Sequence, residues 1–269
     1  MNAALDNIFN HPNVGPFISR NLIEHLVTSN PSPAYISRVA TVFNNNGSNV
    51  RGDLEAVIRA ILLDPEARVD PNTAGQNANP EGAVFGHLQE PVLFIARFLR
   101  AFNTTSATTD FVLSDSYTAP GLIMGENLFL SPSVFNYYPP IFPIPGVTVN
   151  GSQVNGPEFD LFSTSTAIAR INFVAEVTYH TMPVSQPNRP TGTWLDLSSI
   201  TPWVTPPMGS TAQLVSGLNS LMLHGEGSTA LLNTVTTAIN GMPANTTSLQ
   251  KAQRAVYLIG SSPEYIVER

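Results

Sequence analysis

Leu54, Val57, Ile58, Ile61 and Leu62 fall at i, i+3, i+4, i+7 and i+8, a spacing that lets one chain bury all five side chains together only as an α-helix. The same period recurs along the chain, between proline and glycine breakers. Asn13 and Pro16 open a helix carrying Phe17, Ile18, Leu22, Ile23 and Leu26. Ser32 and Pro33 pair a capping side chain with a first-turn proline for a second helix through Phe43. Asp64-Pro65 ends the 54–62 segment, and Glu90-Pro91 opens a fourth helix bearing Ile95, Phe98, Leu99 and Phe102. Helical spacing returns over 163–179, with Ile168, Ile171 and Ala175 on its apolar side, and again over 211–223, 228–239 and 248–259. A last turn follows Ser262-Pro263.

Between these segments the period fades. Residues 70–86 and 103–157 are crowded with Pro, Gly and Asn, and VTVNGSQVNG reads as a short hairpin around Asn150-Gly151. A further Pro/Gly-rich loop, 182–209, holds both tryptophans. The expected fold is mainly α: an irregular multi-helix bundle with long Pro/Gly-rich loops and at most a minor β-hairpin. It divides into an N-terminal helical cluster (1–103), a loop region (104–162) and a C-terminal helical cluster (163–269) interrupted by the 182–209 loop, packed as one domain. No internal repeat of fixed period is present.

Composition narrows the functional classes. Charged residues make up 12% of the chain, against about 25% in an ordinary soluble protein. Lys251 is the only lysine, the net charge is -7, and no Lys/Arg cluster exists, which argues against nucleic acid and anionic membranes as partners. No segment approaches the ~18 continuous apolar residues of a membrane span. With no Cys there is no disulfide, thiolate nucleophile or Cys-based zinc site, and the histidines at 11, 25, 87, 180 and 224 are scattered. No metal site or cofactor is expected. MNAALDNIFNHPNVG lacks the basic and apolar regions of a signal peptide.

HGEGS, residues 224–228, resembles a catalytic turn, but it joins two helical segments where a nucleophile elbow needs a preceding strand. Gly225 as the residue after one helix and Ser228 as the cap of the next account for it. No phosphate-cradling glycine motif is present. Acid-base chemistry would need two carboxylates across a cleft. The candidates near breakers are Glu90, Glu126, Glu158, Asp160 and Asp196, of which Glu126, Glu158 and Asp196 are the best placed in loops.

The aromatics offer a second chemistry. Tyr137, Tyr138, Trp194 and Trp203 all lie in proline-stiffened loops, where they can stack on a ligand such as a sugar or plug the gap between helical clusters. In SPSVFNYYPP, alternation along an extended segment would turn Phe135 and Tyr137 inward and leave Tyr138 the more exposed ring.

The blocks HPNVGPFISRNLIEHLVTSNPSPAYISRVATVFNNNG, RGDLEAVIRAILLDPEAR, HLQEPVLFIARFLRAFN, SPSVFNYYPP, GPEFDLFS and AVYLIGSSPEYIVER together resemble the bacterial proteins grouped as domain of unknown function 1800. The resemblance implies an exported or envelope setting, periplasmic or secreted. It also implies partnership with a co-encoded exported protein of another uncharacterised group, numbered 1501, that looks related to sulfatases. Family members are usually longer, so the chain resembles a C-terminal portion whose partner could be the missing N-terminal half, or a second copy of itself. The resemblance carries no catalytic residues across. Two functions follow: a non-catalytic helical module acting through protein or polymer contacts, with polysaccharide the leading polymer, or a secreted hydrolase of such a polymer using Glu126, Glu158 or Asp196.

Overall fold

Ser32 accepts a hydrogen bond from the backbone N–H of Tyr35, and Pro33 supplies the first turn, so the chain enters a helix where the sequence signals it. The computed structural model describes residues 1–68, 86–106, 123–134, 136–149, 151–180 and 193–268. Of these residues, 56% are helical, and their strands form only two-stranded sheets. The fold is mainly α. The chain divides into two units, residues 1–87 with 143–157 and 269, and residues 88–142 with 158–268.

In the first unit, α1 (Asn2–Phe9), α2 (Val14–Leu26), α3 (Pro33–Asn44) and α4 (Leu54–Leu63) surround a core of Ile23, Tyr35, Val39, Phe43, Val57 and Ile61. Tyr35 is buried without strain because its hydroxyl donates to the Ile61 carbonyl at 2.7 Å. Arg38 holds Asp64 through two 2.7 Å hydrogen bonds. The expected hairpin is present: Pro143–Val149 pairs antiparallel with Ser152–Asn155. Its end is fixed by Asn30, whose side chain both donates to the Asn155 carbonyl (2.7 Å) and accepts from its N–H (2.9 Å).

The second unit holds α5 (Pro91–Arg100), α6 (Thr164–Tyr179), α7 (Thr211–Leu223), α8 (Thr229–Asn240), α9 (Ser248–Gly260) and the single turn α10 (Pro263–Ile266). Its core is aromatic at the centre. Phe94, Phe98, Phe173 and Tyr265 meet mostly edge to face, with ring centroids 5.6 to 6.3 Å apart, the arrangement their quadrupoles favour. Helix α6 presents a different face from the expected one: Ile168 is 51% exposed, whereas Ala169, Arg170, Phe173, Val174 and Val177 are buried. The rings of Phe94 and Phe98 attract Phe173, and the apolar stripe follows that residue rather than Ile168.

HGEGS is a helix junction. His224 takes a left-handed conformation at the end of α7, and Ser228 caps α8 by accepting from the N–H of Leu231. Glu264 accepts from both the backbone N–H and the hydroxyl of Ser228.

Candidate functional site

Strand Trp194–Asp196 pairs antiparallel with Asn103–Thr105, setting Trp194 opposite Thr105 and Asp196 opposite Asn103. Alternation along this strand buries Leu195 and leaves Trp194 and Asp196 half-buried on the other side. Seven residues later a 3-10 turn, Thr201–Val204, carries Trp203, and the chain folds back so that the Ser210 N–H reaches the Trp203 carbonyl at 2.9 Å. Gly209 makes this return path possible. A Cβ there would stand 2.4 Å from the Pro202 carbonyl oxygen and 2.5 Å from the Thr205 nitrogen.

Together these segments wall a cleft of about 1440 Å³ with the start of α7, the end of α6 and Gln253 of α9. Both tryptophans of the chain line it. Trp203 lies against Gly217 of α7, where a Cβ would come within 2.6 Å of the indole. Trp194 is stacked on His180, with ring centroids 4.0 Å apart and planes at 23°. His180 can reach it because it ends α6 in the left-handed conformation, at φ 58°. Met208 projects at the rim, 86% exposed.

Leu195, Leu197, Ala212, Leu249 and three prolines make much of the remaining lining apolar, and neutral polar side chains are set among them. Thr105, Ser198, Thr201, Gln213, Ser216 and Gln253 supply hydroxyl and amide groups. Thr178 is 2% exposed, and its hydroxyl has no hydrogen-bond partner among the described residues. Asp196 is the single carboxylate among the described lining residues. The Ser198 backbone N–H, 2.9 Å from it, and the Ser198 hydroxyl hold its pKa below the usual carboxylate value.

The other predicted site residues gather elsewhere in the same unit, and none of them lines the cleft. Glu126 is buried and accepts from the N–H of Val92 at 2.9 Å, which satisfies an orphan donor in the first turn of α5. Glu158 is buried in the 3-10 turn Pro157–Leu161. The Tyr138 hydroxyl donates to the Glu90 carboxylate. Burial, then the Glu90 bond and charge, with smaller effects of Glu158 and Glu126, drive the Tyr138 pKa well above its ordinary value. Arg170, 1% exposed, lies between the rings of Phe94 and Phe162, and burial pulls its guanidinium down to about 10 against the attraction of Glu126. This is an interior polar cluster that fastens the 123–142 loop to α5.

The tyrosine orientation is the reverse of the expected one. Tyr138 is 8% exposed and Tyr137 only half-buried. Asn136 takes a left-handed conformation, φ 73°, and a bridge between Ser133 and Asn136 closes a turn there, so the alternation of an extended strand does not hold. Tyr137 instead braces the loop, its hydroxyl donating to the Asn127 carbonyl and accepting from the Leu130 N–H. Phe135 lies outside the described residues.

The profile of one family covers residues 1–267, and its description is protein of unknown function (DUF1800). The chain belongs to that family. No curated protein and no solved structure matches it. Every residue lining the cleft of this DUF1800 protein falls inside the matched span, as does the interior cluster around Tyr138. Sequence reasoning had singled out Trp194, Trp203 and Asp196 but not His180, Thr178, Gly217 or Gln253. Gly217 carried a readable signal, because a glycine in the interior of an otherwise apolar helix points to a close approach. Gln253 and Thr178 carried none, since their roles depend on α6 and α9 lying side by side.

Proposed function

We propose that this chain is a non-catalytic carbohydrate-polymer-binding module whose ligand lies in the tryptophan cleft. The observation that carries the reading is that both indoles and several neutral hydroxyl and amide groups line one largely apolar hollow. Sugar rings present apolar C–H faces that stack on aromatic planes and equatorial hydroxyls that exchange hydrogen bonds with Thr, Ser and Gln side chains. The hollow, at about 1440 Å³, exceeds the ~300–1,000 Å³ of typical small-molecule pockets, which suits several linked units of a chain better than one small molecule.

The hydrolase reading is less well supported. Glycoside hydrolysis by the usual route needs two carboxylates about 5–10 Å apart, one with a raised pKa. Among the described lining residues Asp196 stands alone, and its pKa is lowered rather than raised. The neighbouring Ser198 hydrogen bonds suit an anchor for a sugar hydroxyl. An extracytoplasmic setting, where such polymers occur, completes the proposal, and a reporter fusion of the full-length gene would test it.

Affinity gel electrophoresis against soluble β-glucan, xylan and polygalacturonate tests the binding claim. Retardation by at least one polymer, lost in Trp194→Ala, is the expected result. Equal migration of both proteins in every gel would overturn it.

A further inference from the structure

Gln253 belongs to two hollows at once. It lines the tryptophan cleft, and it also lines a second depression of about 540 Å³ between the end of α8 and the first half of α9. Its side-chain Nε2 donates to the Thr178 carbonyl at 3.0 Å, which holds the residue at the junction and leaves its Oε1 as an acceptor there. The two hollows therefore adjoin at Gln253 within the second unit.

The two compartments differ in charge. The first contains Asp196. In the second no carboxylate appears among the described lining residues, and Arg254 is the only charged side chain. Arg254 is exposed and makes no ion pair among the described residues. Its guanidinium lies over the Tyr257 ring at 6.0 Å, and that ring is tilted against Tyr179 at 5.7 Å, so an aromatic pair supports the cation at the wall of this hollow. The carboxyl end of α8 and the amino end of α9 both reach this compartment, and their dipoles oppose one another, so Arg254 sets the local sign.

We infer that the second compartment is a carboxylate-accepting subsite, and that the ligand of the adjoining hollows is an acidic polysaccharide of the uronate class. One sugar unit would stack on Trp194 and Trp203, and the carboxylate of a unit further along the chain would meet Arg254, with Gln253 and Gln250 available to its hydroxyls. The fork of donors on a guanidinium matches a carboxylate. This inference rests on the tryptophan cleft being the polymer site.

The test uses the full chain and two forms of one polymer, oligogalacturonate and its fully methyl-esterified counterpart, with tryptophan fluorescence as the readout. The wild type should bind the acid form about threefold more tightly than the ester, the size of effect an exposed charge pair supplies. Arg254→Gln should abolish the difference without weakening ester binding, Arg254→Lys should keep part of it, and high salt should shrink it in the wild type. Equal binding of both forms by the wild type, or an equal loss for both in Arg254→Gln, would overturn the subsite. A response to β-glucan with none to either galacturonate form would also overturn it while leaving the cleft standing. No response to any polymer would remove the cleft reading and the subsite with it.

Discussion

Gly217→Ala is a one-methyl perturbation aimed at the floor of the cleft. In an exposed helix interior the change would stabilise by about 0.5–1 kcal/mol, because alanine loses less backbone entropy on folding. Here the new Cβ would stand 2.6 Å from two atoms of the Trp203 ring and 3.2 Å from a third. Carbon atoms sit comfortably at about 3.5–4.0 Å, so the indole must retreat by about 1 Å. Trp203 packs on the core of the second unit and cannot swing freely. Overpacking of this kind costs about 1–3 kcal/mol. Subtracting the propensity gain leaves a net loss of about 1 kcal/mol, together with a more solvated indole. Urea melts of the wild type and Gly217→Ala supply the first number. Emission spectra with selective tryptophan excitation in a Trp194→Phe background, where Trp203 is the only tryptophan, supply the second, with a red shift expected. A variant that is more stable by the full propensity gain, with unchanged emission, would refute the contact between Trp203 and α7.

Tyr138→Ala should cost about 3 kcal/mol, since it empties a buried ring site and removes the donor to Glu90, whereas half-buried Tyr137→Ala should cost about 1 kcal/mol; paired denaturant melts decide, and the opposite order would contradict the turn at Asn136. Glu176 has a carboxylate oxygen buried without a partner among the described residues, and burial raises its pKa. The folded state therefore favours its protonated form, and the stability this contributes is present below about pH 4.3, the unfolded value, and lost as pH rises through the higher folded value. Glu176→Gln should accordingly raise the melting temperature at pH 7 and leave it unchanged near pH 3. Tyr265 and Tyr35 are fully buried and their pKa values are raised, chiefly by burial, so stability should fall at alkaline pH once the unfolded-state value of about 10 is passed; a flat profile from pH 8 to 12 would count against both placements.

The helices were legible because their signals are local. Ser32-Pro33, Ser163, Ser228 and Ser262-Pro263 each cap the helix that follows, and the 54–62 stripe buries Val57 and Ile61. Which face of α6 turns inward was not legible, since Ile168 and Phe173 each begin a plausible apolar stripe and only the packing of Phe94 and Phe98 chooses between them. The order of the tyrosines failed for a similar reason: one left-handed residue, Asn136, resets the alternation, and asparagine tolerates that conformation without requiring it.

At the site, the sequence put both tryptophans in one proline-stiffened loop, and the strand pairing with Asn103–Thr105 turned that loop into a cleft wall. Glu126 and Glu158 looked like loop carboxylates but are absorbed into the interior cluster, Glu126 by closing the amino end of α5. A loop position reads the same whether its side chain faces solvent or a helix terminus.

Because the chain has two tryptophans and both line the cleft, selectively excited tryptophan fluorescence reports on the site. Titration with polygalacturonate and with β-glucan, followed by acrylamide quenching of the bound state, tests polymer binding most directly. The account predicts a saturable change in emission with at least one polymer, reduced access of acrylamide to the indoles when it is bound, and loss of the response in Trp194→Ala. Unchanged emission and unchanged acrylamide quenching at saturating concentrations of both polymers would contradict it.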